Sequence, residues 1–315
     1  ESVERRKQEE AINRRHVKDC QDLLALSQGA LPERSLNIHY RSAYRELIAF
    51  SNAAYYAGQL NVPVNHPPSE VKRHKPIEVR RIDGVYRNQS NPAEAGAVVD
   101  YLSDLWRTAG DRRPTVGVVT FNLKQAELIE EELQRRASAD RSFRVSLEQE
   151  LGRKADGEDV SFFVRNLENV QGDERDYILF STTFGESPGG DFSKNFGALS
   201  KSGGERRLNV AITRAKSKVV VMTSMPTNKI SPDFAAGARG PTKARDYLQA
   251  YLRYAENVTL GELDAAKDQL SIFDSGAIPL AHIEDDDTAA DALIERVRGV
   301  LAQSGFETVL RPLEG

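Results

Sequence analysis

Cysteine is almost absent. The one cysteine of the 315-residue chain, Cys20, excludes an internal disulfide and leaves too few thiolates for a cysteine-based metal site. Cys20 itself reads as a small, partly buried apolar residue. Long apolar runs are missing as well. No stretch of roughly 18 apolar residues could cross a bilayer, and the N-terminus lacks the pattern of a signal peptide. The expectation is a cytoplasmic chain with no membrane partner. Positive charge is not in excess: 43 Lys and Arg face 47 Asp and Glu, a net charge of −4. A polybasic nucleic-acid binder is thereby excluded, and any such binding must come from a local groove. The phosphate-cradling pattern Gly-x-x-x-x-Gly-Lys-Ser/Thr occurs nowhere, not even in the glycine-rich stretch Gly185–Gly204, which reads as a mobile loop. There is also no acidic Mg²⁺-binding strand followed by a glutamate base, and no metal-ligating set is expected.

What is present is an ordinary globular composition, 39% hydrophobic and 29% charged, long enough for one large domain or two modest ones. The chain begins with Glu1 rather than Met, and the expectation is a fragment of something longer. Pro76–Tyr86, Thr115–Phe121, Val160–Val164, Tyr177–Thr183 and Val219–Met222 read as strands. Tyr44–Tyr56 and Thr242–Glu256 have helical spacing. Asn91 with Pro92 and Glu94 opens a helix reaching Thr108, and another runs from Asn122 to Ala137. Strand, turn and helix in alternation predict an α/β fold with a parallel sheet. The prolines of residues 61–76 predict a surface loop without regular structure. Arg141–Asp159 reads as polar and irregular, and residues 257–283 show no strong period. Residues 1–30 read as a charged helical extension. A helix over Ala289–Leu301 and a strand over Gly305–Leu310 resemble the opening of a further domain.

The most informative stretch is Glu205–Lys216 with the apolar run that follows it. Leu208, Ala211, Ile212 and Ala215 fall at i, i+3, i+4 and i+7, predicting one apolar helical face. Arg207 and Arg214, seven residues apart, would project from the same edge of that helix. Val219–Met222 predicts a strand covered on both sides. Taken alone, the two arginines read as solvated or paired with surface carboxylates. The string Arg-Arg-Leu-Asn-Val-Ala-Ile-Thr-Arg-Ala, however, resembles motif VI of the superfamily 1 helicases. The resemblance implies that Arg214 reaches across a domain interface to the γ-phosphate of ATP. There a planar, permanently charged fork meets charge developing on the phosphoryl oxygens. Such a finger is typically worth ~10³–10⁵ in rate, or about 4–7 kcal/mol.

Three further motifs stand upstream in the same order as in that family. His39-Tyr40-Arg41-Ser42 resembles motif IV, which implies that Arg41 is a second phosphate-contacting arginine and that Tyr40 lies beside the base. Val118-Val119-Thr120-Phe121-Asn122 resembles motif IVa, and Thr120 and Asn122 could contact backbone phosphates; Asn122 is equally well explained as a helix cap. Gln171-Gly172-Asp173-Glu174-Arg175-Asp176 before an apolar strand resembles motif V. It implies that Glu174 approaches the ribose, that Gln171 and Gly172 lie at the nucleotide, and that Asn166 lies near nucleic acid. Many relatives have Thr or Ser where Asn166 stands and Phe where Val170 stands. Arg207, also assigned to the nucleotide side, is expected to pair with Glu168, Glu174 or Asp176.

The resemblance thus implies a RecA-like second motor domain over residues 31–257, a P-loop NTPase fold without its own P-loop. Residues 258–315 would be a linker and the start of a further domain. A first RecA-like domain of the same polypeptide would hold ATP and Mg²⁺. This half would supply Arg41 and Arg214, grip single-stranded nucleic acid (DNA in preference to RNA), and hydrolyse nothing alone. The alternatives are a nucleic-acid-binding module that drives nothing, and a helicase–nuclease fusion whose nuclease lies further on.

Overall fold

The computed structural model describes residues 37–110, 113–201, 203–235 and 241–276. The expected N-terminal extension, Cys20, and the elements expected at 289–310 lie outside the described residues. Five parallel strands form the centre: β1 (Ile77–Arg81), β2 (Val116–Thr120), β5 (Phe163–Asn166), β6 (Arg175–Ser181) and β7 (Ala215–Thr223). Their spatial order is β1-β7-β6-β2-β5. Between β2 and β5 in the chain lies a two-residue hairpin, β3 (Lys154–Ala155) with β4 (Glu158–Asp159).

The strands are apolar on both sides because helices cover both faces. Successive residues point to opposite faces, so Val219 and Val221 of β7 enter one core while Val220 and Met222 enter the other. Ile178 and Phe180 of β6 are divided from Leu179 in the same way. The first core is closed by α1 (Glu46–Tyr55), α6 (Gly204–Ile212) and α9 (Ala244–Leu260), through Leu47, Phe50, Leu208, Ile212, Leu248 and Leu252. The second is closed by α3 (Pro92–Thr108), α4 (Leu123–Ala139) and α5 (Arg141–Leu151), through Leu102, Trp106, Ile129, Leu133, Phe143 and Leu147. Each such fully buried side chain contributes about 1.5–3 kcal/mol relative to exposure.

Local signals explain most boundaries. Asn91 Oδ1 accepts from Glu94 N at 3.2 Å with Pro92 in the first turn, and Asn122 Oδ1 accepts from Gln125 N at 2.9 Å. Four expectations need correction. Arg141–Asp159 is not irregular: Asp140 caps α5 by accepting from Ser142 N and Phe143 N, and Phe143 and Leu147 pack inward. The proline-rich stretch contains α2 (Pro68–His74), because Pro68 sits in the first turn, where its missing N–H costs nothing, and Val71 is buried. The helix after Gly203 stops at Ile212, and Ala215 opens β7 instead of completing a helical face. Finally, α9 passes through the expected boundary at 257. After Gly261 (φ 76°) it is followed by α10 (Leu263–Leu270), and Ala266 and Phe273 join the first core. Two one-turn helices, α7 (Thr227–Ile230) and α8 (Pro232–Ala235), link β7 to α9.

At the C-terminal ends of β6 and β7 the polar side chains are knotted around one fully buried carboxylate, Glu94 of α3. Its oxygens accept from Ser181 Oγ, Thr183 N and Ser224 N, each at 2.7 Å. Burial pushes this carboxyl above the ordinary range, against those hydrogen bonds, which pull it down. Thr183 carries a positive φ of 69°, unfavourable for a β-branched residue, and its N–H bond to Glu94 helps hold it there. Glu94→Ala would leave three buried donors without an acceptor, at about 1–3 kcal/mol each. We expect urea unfolding to show a loss of about 3 kcal/mol or more, and a smaller loss for Glu94→Gln, whose amide oxygen still accepts. A loss below about 1 kcal/mol for the alanine variant would show that the network does not hold these strand ends.

Candidate functional site

The site grows from the pairing of β6 with β7. Arg175 lies opposite Ala215 in the ladder, and Arg175 N donates to Arg214 O at 3.2 Å. Glu174 and Arg214, forty residues apart in the chain, are therefore neighbours at the N-terminal edge of the sheet. Arg41 is brought there by a short segment that Ala43 N ties to Lys216 O at 2.7 Å. The turn carrying Arg41 is closed by its flanks. Ser42 N donates to His39 Nε2 at 3.2 Å, and Ser42 Oγ lies 2.8 Å from the same nitrogen.

Glu174 is the hub. Arg41 Nε lies 2.6 Å from Glu174 Oε2, and Lys216 Nζ lies 2.9 Å from Oε1. Burial alone would raise this carboxyl, but the hydrogen bond from Lys216 and the charges of Arg41, Lys216 and Arg214 outweigh it and hold it below the ordinary range. Arg214 is anchored from behind. Its Nε donates to Val210 O at 2.7 Å, a carbonyl in the last turn of α6, and its Nη2 lies 3.1 Å from Thr213 Oγ1. A cation at a helix C-terminus is favoured by the helix dipole. Burial and then the charge of Arg41 lower the Arg214 pKa, with Glu174 acting the other way; the guanidinium remains charged. Two cations thus pair with Glu174 while Arg214 lies within its field and that of Asp173, and the two arginines repel each other. The chemistry this arrangement suits is binding a multiply charged anion.

The remaining residues expected on the nucleotide side fall unevenly around this hub. Tyr40, beside Arg41, is 85% exposed, an aromatic ring open to solvent. Gln171 and Gly172 form the exposed turn before Glu174, where Gly172 has φ 93°, a backbone conformation glycine adopts without strain. Arg207 departs from expectation. Its Nη1 lies 3.5 Å from Ala198 O, at the margin of a hydrogen bond. The three carboxylates expected to pair with it have other partners: Glu174 as above, Asp176 with Thr115 at 2.8 and 2.9 Å, and Glu168 with Lys201 at 3.9 Å. α6 ends at Ile212, so Arg207 sits within the helix while Arg214 lies in the short connection to β7.

Thr120, Asn122 and Asn166 gather at the opposite end of the sheet. Thr120 and Asn166 are partners in the β2–β5 ladder at the C-terminal ends of both strands. Thr120 is fully buried and its Oγ1 donates to Asn122 O at 2.7 Å, so the hydroxyl is spent inside the chain. Asn122 serves as the cap of α4, and its Nδ2 donates to Gln89 O at 3.0 Å. The Asn166 amide oxygen is buried without a hydrogen-bond partner, leaving it capacity for one. Among the described residues no group of three or more His, Cys, Asp and Glu could hold a metal ion, and no helix is long and apolar enough to cross a membrane. Two grooves, of about 670 and 830 Å³, lie between α4, α5 and β5 and between α1, α9 and α10, away from the cation cluster.

Sequence reasoning missed two residues here. Lys216 reads as a solvated charge before an apolar run; only its contact with Glu174 distinguishes it. Tyr56, 40% exposed, receives a 3.4 Å contact from Asn209 Nδ2 of α6.

Comparison with known proteins adds the following. A family model described as an AAA domain matches residues 21–226. The chain is 39% identical over 222 residues to an uncharacterized ATP-dependent helicase, the MG140 homolog of Mycoplasma pneumoniae, and that match covers 70% of this chain and 18% of the relative. It is 40% identical over 222 residues to MG140 of Mycoplasma genitalium, also named an uncharacterized ATP-dependent helicase, with the same two coverages. The chain therefore spans about a fifth of the length of these curated relatives. A solved structure from Lactobacillus plantarum WCFS1, described as the C-terminal domain of a possible DNA helicase, is similar at a TM-score of 0.34 and 14% identity. It covers 59% of this chain and 88% of that one. That likeness is too slight to carry an argument.

His39 supplies a pH test of the turn that presents Arg41. Accepting from Ser42 N–H requires an unprotonated Nε2, and burial followed by the charge of Arg41 lowers the pKa from its ordinary 6.5. The folded state prefers neutral His39, so its contribution is complete above that value and is lost as pH falls through the lower folded one. Proton NMR should give a His39 midpoint below 6.5, and His39→Ala should remove this component of acid destabilisation. A midpoint above the ordinary value would contradict the geometry.

Proposed function

We propose, from the premise that this chain belongs to the AAA domain family, that it is the second motor half of an ATP-dependent superfamily 1 helicase or translocase. The observation that carries the reading is the convergence of Arg41 and Arg214 on one sheet edge, around a carboxylate too weak in charge to neutralise them. In this reading a P-loop-bearing first domain of the same polypeptide holds ATP, and its closure brings the γ-phosphate to the two arginines. Arg214, braced by Val210 O and Thr213, stabilises charge gathering on the transferred phosphoryl group without having to reorganise. Arg41 must leave Glu174 to do the same, which frees that carboxylate to accept from a ribose hydroxyl. Tyr40 offers its exposed ring to the base. Gln171 and Gly172 shape the turn beneath the nucleotide. Arg207 acts at a distance, by fastening the loop that precedes α6.

Mg²⁺ would supply charge neutralisation on the phosphates and would be held mainly by the first motor domain, since no acidic cluster among the described residues fits it. The single strand lies across the other end of the sheet, near Asn166 and the α4 N-terminus, with DNA favoured over RNA. Asn166 offers its amide N–H to a backbone phosphate, and Thr120 supports Asn122 from behind. Nucleic-acid contacts of this kind position the backbone without reading sequence. Residues 167–174 connect the two ends in eight residues, a span of at most about 29 Å when extended. Leu167 and Val170 are buried in the core beneath this connection.

In the protein carrying the P-loop domain, Arg214→Ala should lower strand-stimulated kcat by ~10³–10⁵, and Arg214→Lys should not restore it, because a point charge cannot replace the fork. The isolated chain should hydrolyse ATP no faster than buffer. Steady-state ATPase assays with single-stranded DNA and RNA decide both points. Undiminished turnover in Arg214→Ala would remove the basis for the motor reading, and equal stimulation by RNA would remove the preference for DNA.

A further inference from the structure

Lys216 is a cation at this edge to which the motif resemblance gives no role. Its place is set by an irregularity in the ladder. Between the pairs Arg175↔Ala215 and Tyr177↔Lys218 the register advances two residues on β6 and three on β7. The extra residue on β7 falls at Lys216–Ser217. Such a bulge releases backbone groups from the ladder and re-aims a side chain. Both effects are visible. Lys216 O accepts from Ala43 N at 2.7 Å, and Ser217 O lies 3.3 Å from His74 Nε2. Lys216 Nζ reaches Glu174 on the oxygen that Arg41 does not use. The residue that hangs the Arg41 segment on the sheet is therefore also the residue that competes with Arg41 for its counter-ion.

The geometry points to Lys216 as a positioning residue that makes Arg41 exchangeable. It keeps Glu174 neutralised when Arg41 moves to a polyphosphate, and so lowers the cost of that move. This rests on the motor reading for its purpose, but the latch itself is a property of the chain. Arg41 and Glu174 are each 36% exposed and Lys216 is 42% exposed, so the pairs are solvent-screened and rearrange readily. Without Lys216, Glu174 has Arg41 as its remaining direct ion-pair partner and holds it more tightly. A lysine that itself touched phosphate would behave differently, because its loss would cost the same whether or not Glu174 were charged.

Two measurements test this. In the ¹⁵N-labelled chain alone, hydrogen exchange at Arg41 Nε–H should slow by about two- to fivefold in Lys216→Met, the factor expected of a half-exposed ion pair. Lys216→Arg should restore the original rate. Unchanged or faster exchange in the methionine variant would overturn the latch, whatever the protein's activity. In the protein carrying the P-loop domain, Lys216→Met should raise KM for ATP by about the same factor with kcat retained. That rise should vanish in a Glu174→Gln background. A KM effect of equal size in both backgrounds would make Lys216 a direct phosphate ligand and overturn the positioning role, as would no KM effect at all. Equal urea midpoints for the variants exclude a trivial loss of fold. If the unaltered protein shows no strand-stimulated ATPase, the motor reading fails, while the exchange measurement still decides the latch.

Discussion

The pairing of β6 with β7 is the constraint on which the site rests. One backbone bond, Arg175 N to Arg214 O, closes the end of that ladder and sets the two residues flanking it, Glu174 and Arg214, side by side. Everything charged at the edge is then referred to Glu174. It draws Arg41 and Lys216 onto its two oxygens, while Arg214 is held by carbonyl and hydroxyl groups of its own helix end. The strands behind the edge are buried on both faces, which keeps this origin from drifting. The arrangement is a buried platform with half-exposed charges at its rim.

The sheet separates two kinds of polar chemistry. At its N-terminal edge lie guanidinium and ammonium groups with too little counter-charge. At its C-terminal edge, one strand length away, lie neutral amides and hydroxyls, most of them spent on one another around Glu94, Thr120 and Asn122. The segment from Leu167 to Glu174 runs between the two edges and is pinned by buried Leu167 and Val170. Asp173 also pairs with Arg165 at the end of β5.

Sequence patterns were informative where local chemistry decides. The caps at Asn91 and Asn122 were legible because a side chain bonds a backbone N–H three residues on, and the central strands because β-branched runs buried on both sides have few alternatives. Local signals misled where they competed with tertiary demand. The helical spacing from Leu208 to Ala215 is real in the sequence, yet the ladder with β6 takes Ala215 as a strand residue. That exchange moved Arg214 off the helix and broke the expected relation with Arg207. The prolines of residues 61–76 suggested only a loop, because a proline in the first turn of a helix is indistinguishable in sequence from one in a bend.

The order of motifs along the chain, the family they resemble and the identity of Arg41, Glu174 and Arg214 as residues of interest were all determined by the sequence, since each depends on residue type at short spacing. Only the tertiary structure decided that these three meet at one edge, that Lys216 joins them through a bulge in β7, and that Thr120 is sealed inside. The reason is physical. Short-range patterns record what a backbone prefers locally, whereas the partner of a charge is chosen by strands that come together from distant parts of the chain.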